Sequence, residues 1–186
     1  MTRAGVFTGI DTPARIVGTV AAALVIETAV VWRFGWSAPL AAYSCFAVIG
    51  AVVSATDLTA RRIPNLIVLS ACPITAVLLA IASTPSGLWW PLARAGIAAV
   101  GLAAFYLVLG LAFPAGMGLG DVKWAGLIGA YLGWLGWSPV VSGTLIAFLA
   151  AAVVVLSARI VGRRQSSLPM APFMTLGAIG AVLATR

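Results

Sequence analysis

Apolar residues fill this chain in long runs rather than alternating with polar ones, so neither the two-residue period of a half-buried strand nor the single stripe of a surface helix describes it. A helix needs about 20 apolar residues, within a range of about 17 to 25, to cross the hydrocarbon of a bilayer. Runs of that order, bounded by Arg, Pro, Gly or Ser clusters, occupy residues 16–33, 38–56, 65–83, 92–113, 122–136, 139–157 and 168–185. The fifth run is short, and the break at Gly136 and Pro139 behind it is the weakest boundary, so six spans stay open beside seven. Polar stretches are no longer than about a dozen residues, which is loop length rather than domain length. The pattern predicts an all-α polytopic membrane protein with residues 1–186 as one integral membrane domain.

Composition sharpens that picture. Of 186 residues 62% are hydrophobic and 8% charged, more apolar surface than a water-soluble domain of this size can cover. Eleven Lys and Arg stand against four acids, for a net charge of +7. In a soluble protein this excess would suggest nucleic acid. Here the cations sit at the ends of apolar runs, where they set topology, and no nucleic-acid partner is expected. With the amino terminus in the cytoplasm, Arg3, Arg15, Arg61, Arg62, Lys123, Arg159, Arg163 and Arg164 fall inside, and Arg33, Arg94 and Arg186 outside. That distribution obeys the positive-inside bias and predicts a multi-pass protein of the inner membrane. The first run carries Glu27 and ends in Val30, Val31, Trp32 and Arg33 without a small-residue cleavage site, so it is expected to be an uncut span rather than a signal peptide. Trp89, Trp90, Trp134 and Trp137, at the predicted outer ends, are expected to anchor the interface.

The four acids are Asp11, Glu27, Asp57 and Asp121; histidine is absent, and Cys45 and Cys72 lie unpaired inside apolar runs. This nearly excludes zinc sites and Cys/His nucleophile pairs, and no cofactor is expected. Asp57 closes the second run and Asp121 opens the fifth after a glycine-rich turn, which places both at one membrane depth facing the cytoplasm. Two carboxyl groups brought together can share a proton, one acting as base toward water while the other donates to a substrate carbonyl. Either Asp alone is equally well explained as a helix cap or interfacial residue. As two of only four acids, both at one face, they form a stronger pattern than either alone.

Around these acids the sequence resembles the type IV prepilin peptidases, GxGD aspartic proteases of the membrane that include the archaeal preflagellin peptidases. Three blocks carry the resemblance: Asp57 followed by Arg61, Arg62, Ile63, Pro64 and Asn65; Gly118, Gly120, Asp121 and Lys123; and Pro169, Pro172, Phe173, Leu176 and Gly177. The resemblance implies that Asp57 and Asp121 are catalytic and that the substrates are prepilins or pseudopilins, cut on the cytoplasmic side after a short basic leader that precedes an apolar helix. It also shows a departure. Longer members carry paired CxxC motifs in a cytoplasmic domain and methylate the new amino terminus; this chain has no CxxC, so it is expected to resemble the short, peptidase-only kind of tight-adherence pilus systems and archaeal flagella.

The neighbours of the pair have plainer readings beside functional ones. Lys123, two residues past Asp121, points to another helix face and is read as a snorkelling cation. Arg61 and Arg62 serve the charge bias first, with Arg61 in reach of Asp57 or of anionic lipid. Pro64 starts the third helix. Pro169 and Pro172 shape the start of the last helix and are candidates to line the substrate groove. Glu27, away from the pair, is expected to serve packing. Helix ends predict Asp121 as base and Asp57 as holder of the shared proton, because the second helix ends at Asp57 and the fifth begins at Asp121. Two rival functions remain: a small transporter or channel component, which predicts acids near the midplane, and a presenilin-like protease with another substrate, whose Tyr-Asp and Pro-Ala-Leu motifs fit less well than Thr56-Asp57 and Pro169-Met170-Ala171-Pro172.

Overall fold

A computed structural model describes residues 12–87, 89–113, 117–162 and 168–185. Arg3, Asp11, Arg163, Arg164 and Arg186 lie outside the described residues. Seven α-helices run through what is described: α1 (Pro13–Phe34), α2 (Leu40–Ala60), α3 (Asn65–Ser83), α4 (Trp90–Ala112), α5 (Leu119–Leu135), α6 (Trp137–Ile160) and α7 (Ala171–Ala184). Each answers to one predicted apolar run. Five of them, α1, α2, α3, α4 and α6, are long and apolar enough to cross a membrane, and the chain is a multi-pass membrane protein. The break after the fifth run is real, since Gly136 alone separates α5 from α6.

Sequence neighbours pack as pairs, α1 on α2, α4 on α5 and α6 on α7, as short connections require. Glycine brings the closest pairs together. A Cβ at Gly129 would lie 2.5 Å from the Ala98 carbonyl oxygen of α4, and one at Gly177 would lie 2.2 Å from the Gly143 oxygen of α6. Without a hydrophobic effect between helices in lipid, such close backbone packing supplies much of the cohesion.

α5 is the central post, in contact with α3, α4, α6 and α7. Its buried face meets α2 through an aromatic layer: Phe46 stacks on Trp124 with ring centroids 5.7 Å apart, and Tyr43 donates its hydroxyl to the Tyr131 carbonyl at 2.7 Å. At the far end of α5, Arg94 of α4 donates to the carbonyls of Gly133 and Trp134 at 2.6 and 2.7 Å, satisfying oxygens that have no partner within the helix. One sequence expectation changes here. Trp134 is not a free interfacial anchor: it is half-buried, and its indole nitrogen donates to Ser83 Oγ at 2.9 Å, joining the ends of α5 and α3. Trp89, Trp90 and Trp137 are exposed.

Candidate active site

Asp57 lies in the last turn of α2, and how that helix stops decides what surrounds it. Arg61 follows in the left-handed region, with φ 50° and ψ 37°, and its N–H donates to the Asp57 carbonyl at 2.9 Å. It is the one non-glycine residue with positive φ among the described residues, a conformation that costs about 1–2 kcal/mol. The reversal turns the chain back toward Pro64, which caps α3, and Asn65, which begins it. The Asp57 side chain is only 6% exposed, and its Oδ2 accepts the N–H of Ala171 at 2.9 Å. Ala171 is the first residue of α7, so this amide is one of those a helix start leaves without an internal acceptor. Pro172, second in that helix, has no amide to compete, and Pro169 lies in the approach before Met170.

Asp121 occupies the first turn of α5. Gly118 caps the helix in an extended conformation, and its N–H donates to Asp121 Oδ2 at 2.9 Å, the carboxylate half of a capping box. Asp121 therefore lies inside the helix rather than in front of it, and the cap is Gly118. The next glycine has a steric reason. A Cβ on Gly120 would lie 2.9 Å from the Cβ of Ile63, so the glycine lets the α2–α3 link sit against the start of α5.

This packing draws the two sequence blocks into one site. Asp57 and Asp121 are close enough for the charge of one to act on the other, and Arg61 lies within similar reach of Asp57. Lys123 donates from Nζ to Asn65 Oδ1 at 2.9 Å, tying α5 to α3. Spacing along the chain gave Lys123 no such partner; that Asn65 begins α3 and Lys123 lies in the first turns of α5 at the same end of the bundle is the one signal for the pairing. Tyr106 of α4 was also missed. It is 1% exposed, stacks on Phe148 and lies within electrostatic reach of Asp121, yet nothing in an apolar run marks it out. Glu27 stands apart, with Oε1 accepting from Ser44 Oγ at 2.6 Å and so linking α1 to α2.

The expected asymmetry of the two acids weakens in three dimensions. Asp57 ends one helix but is met by the amino end of another, so each carboxylate accepts one helix-start amide. Helix ends alone then do not say which is base.

A family model of the type IV leader peptidases matches residues 44–156, a stretch that contains both aspartates. The chain belongs to the type IV leader peptidase family. The match takes in two of the three sequence blocks and ends before Pro169; the whole of α1 precedes it, and the whole of α7 follows it. Neither a curated protein nor a solved structure matches the chain significantly. As a leader peptidase family member, it is a protease of the leader-removing kind, built as an all-helical membrane protein.

If the Lys123–Asn65 bond fixes the spacing of α3 and α5 at the site, Lys123→Met and Asn65→Ala should each lower kcat by up to about fivefold, the effect of losing about 1 kcal/mol from an exposed charged contact. The double variant should be little worse than either single one, as a double-mutant cycle on a leader-cleavage assay would reveal.

Proposed function

We propose that this leader peptidase is an aspartic endopeptidase that removes the leader of prepilin or pseudopilin precursors, with Asp57 and Asp121 as its catalytic pair. The observation that supports the reading is their placement: two acids from separate helices, each accepting a backbone amide through Oδ2, with the charge of Asp57 reaching Asp121. One carboxylate takes a proton from water as its oxygen attacks the scissile carbonyl carbon. The other, protonated, gives its proton to the carbonyl oxygen. The tetrahedral intermediate collapses as the C–N bond breaks: the first carboxyl gives its proton to the leaving nitrogen, the second takes one from the hydroxyl that becomes the new carbonyl, and the pair returns to its starting state. Titration of such a pair belongs to both groups together. The backbone amides hold the carboxylates in place without supplying a proton of their own.

The rival transporter reading wants acids at mid-depth, whereas both aspartates here lie in the terminal turns of their helices. Purified protein incubated with a prepilin should yield a product whose mass corresponds to loss of the leader, with no methyl group added even when S-adenosylmethionine is present. An intact precursor after prolonged incubation, with the enzyme folded, would refute the assignment. The cation bias supports a site at the cytoplasmic face of the inner membrane. Single cysteines introduced at residues 58–62 and 160–166 should then be labelled by an impermeant reagent only after the cells are opened.

A further inference from the structure

Helices α3 and α4 are consecutive yet barely touch; both lean on α5, and an apolar groove of about 580 Å³ runs between them, open along its side. Its walls are residues 68–79 of α3 and 92–103 of α4, and its floor is Lys123, Gly126, Leu127 and Ala130 of α5. At 1.5 Å per residue the walls run about 17 Å, about three turns of a docked helix. Lys123 is the one charged group among its described lining residues and stands at the aspartate end.

We propose that this groove receives the apolar helix of the substrate, the segment that follows the scissile bond, entering sideways from the bilayer. The inference rests on the leader peptidase reading above and adds where the substrate's membrane segment is held. Three features select this occupant. Both wall helices are long and apolar enough to cross a membrane, so a groove open between them gives access to a ligand already in the bilayer. The floor and the α4 wall are paved with small residues, among them Gly96, Ala99, Gly126 and Ala130, which let a helix backbone approach closely and which an acyl chain would not need. The groove also ends at Lys123, two residues along α5 from Asp121. Because those residues point to opposite sides of α5, the substrate must round the amino end of that helix, a path of about 10 Å that three or so extended residues cover at about 3.3 Å each. The scissile bond is thereby placed about three residues ahead of the docked helix.

A matched pair of variants tests this. A Cβ at Gly96 or at Gly101 meets nothing within 4 Å, both positions are exposed, and leucine favours a helix over glycine, so neither Gly96→Leu nor Gly101→Leu threatens folding. Only Gly96 lines the groove. With the full-length protein in nanodiscs, Gly96→Leu should raise KM for a prepilin at least tenfold over Gly101→Leu. For a soluble peptide that spans the scissile bond and stops before the apolar helix, the two should agree within twofold. Equal KM values for the prepilin, or an equal loss on the short peptide, would overturn the groove assignment while leaving the protease reading intact. A second measurement does not depend on turnover. Cys72 is an exposed thiol in the groove wall, so in an Asp57→Asn, Cys45→Ala protein it should form a disulfide with a cysteine placed on the substrate helix. Absence of that cross-link, or a Cys72 disulfide between two copies of the chain instead, would reject substrate docking and leave lipid or a second copy as the occupant. Wild-type protein that traps the substrate but never cleaves it would count against the catalytic reading alone.

Discussion

Asp57→Asn and Asp121→Asn are each expected to lower the rate of leader removal about a thousandfold or more, with membrane accumulation near that of the wild type. The chemistry needs one carboxyl to receive a proton and another to give one, and an amide does neither at neutral pH. The fold, by contrast, asks of each side chain only that it accept a backbone N–H, from Ala171 at position 57 and from Gly118 at position 121. An amide oxygen satisfies both demands, and the volume hardly changes. Glu27→Gln, at an acid bonded to Ser44 and distant in role from the pair, should retain activity. Mass spectrometry of the product, with a thermal unfolding curve of each variant, separates these outcomes. Cleavage near the wild-type rate by either dyad variant would end the aspartic assignment, and a dead Glu27→Gln would enlarge the site.

Gly120→Ala should be nearly as harmful, for a reason of space rather than chemistry. Gly120 is not among the described residues with positive φ, so its backbone does not demand glycine. The obstacle is the Ile63 Cβ, 2.9 Å from where the new methyl would sit. Relieving it means moving the start of α5 away from the α2–α3 link, at about 1–3 kcal/mol of overpacking. Asp121 would move with it, and a displacement of about 1 Å at a reacting centre can cost about a hundredfold in rate. We expect a loss of that order in kcat. Ile63→Gly removes the offending carbon and should bring the double variant within about tenfold of Ile63→Gly alone. Ile63→Ala keeps that carbon and should not rescue. Rescue by both, or by neither, would show that Gly120 serves some other purpose.

The same contacts show where sequence reading stopped. Helix number and approximate limits were legible, because span length is fixed by the bilayer and the breaks at residues 61–64, Gly118 and Gly136 carry turn chemistry. The two acids stood out as candidates because so few compete with them. The partners were not. Helices that are apolar on nearly every side carry no stripe to say which face meets which neighbour, so neither the Ala171 amide reaching Asp57 nor the Lys123–Asn65 bond follows from periodicity. Helix starts misled by a few residues in the same way: α5 begins before Asp121, at Leu119, and α7 only at Ala171, beyond Pro169. Those small shifts mattered, since they turned a lone cap into a capping box and gave Asp57 a helix amino end of its own.

α7 is short, and its length has a bearing on the membrane itself. Its 14 residues span about 21 Å, against a hydrocarbon core of about 30 Å. Its far end is held by Arg33, which donates to Val182 and Thr185, so the shortfall is concentrated at the end where Ala171 meets Asp57. An α7 that crossed the bilayer would leave about 9 Å of hydrocarbon depth at that end, to be met by thinner lipid or by water. On the reading of the aspartates as the catalytic pair, the thickness of the surrounding lipid would set how far water and an extended chain descend to reach them, and short-chain lipids would shorten the way.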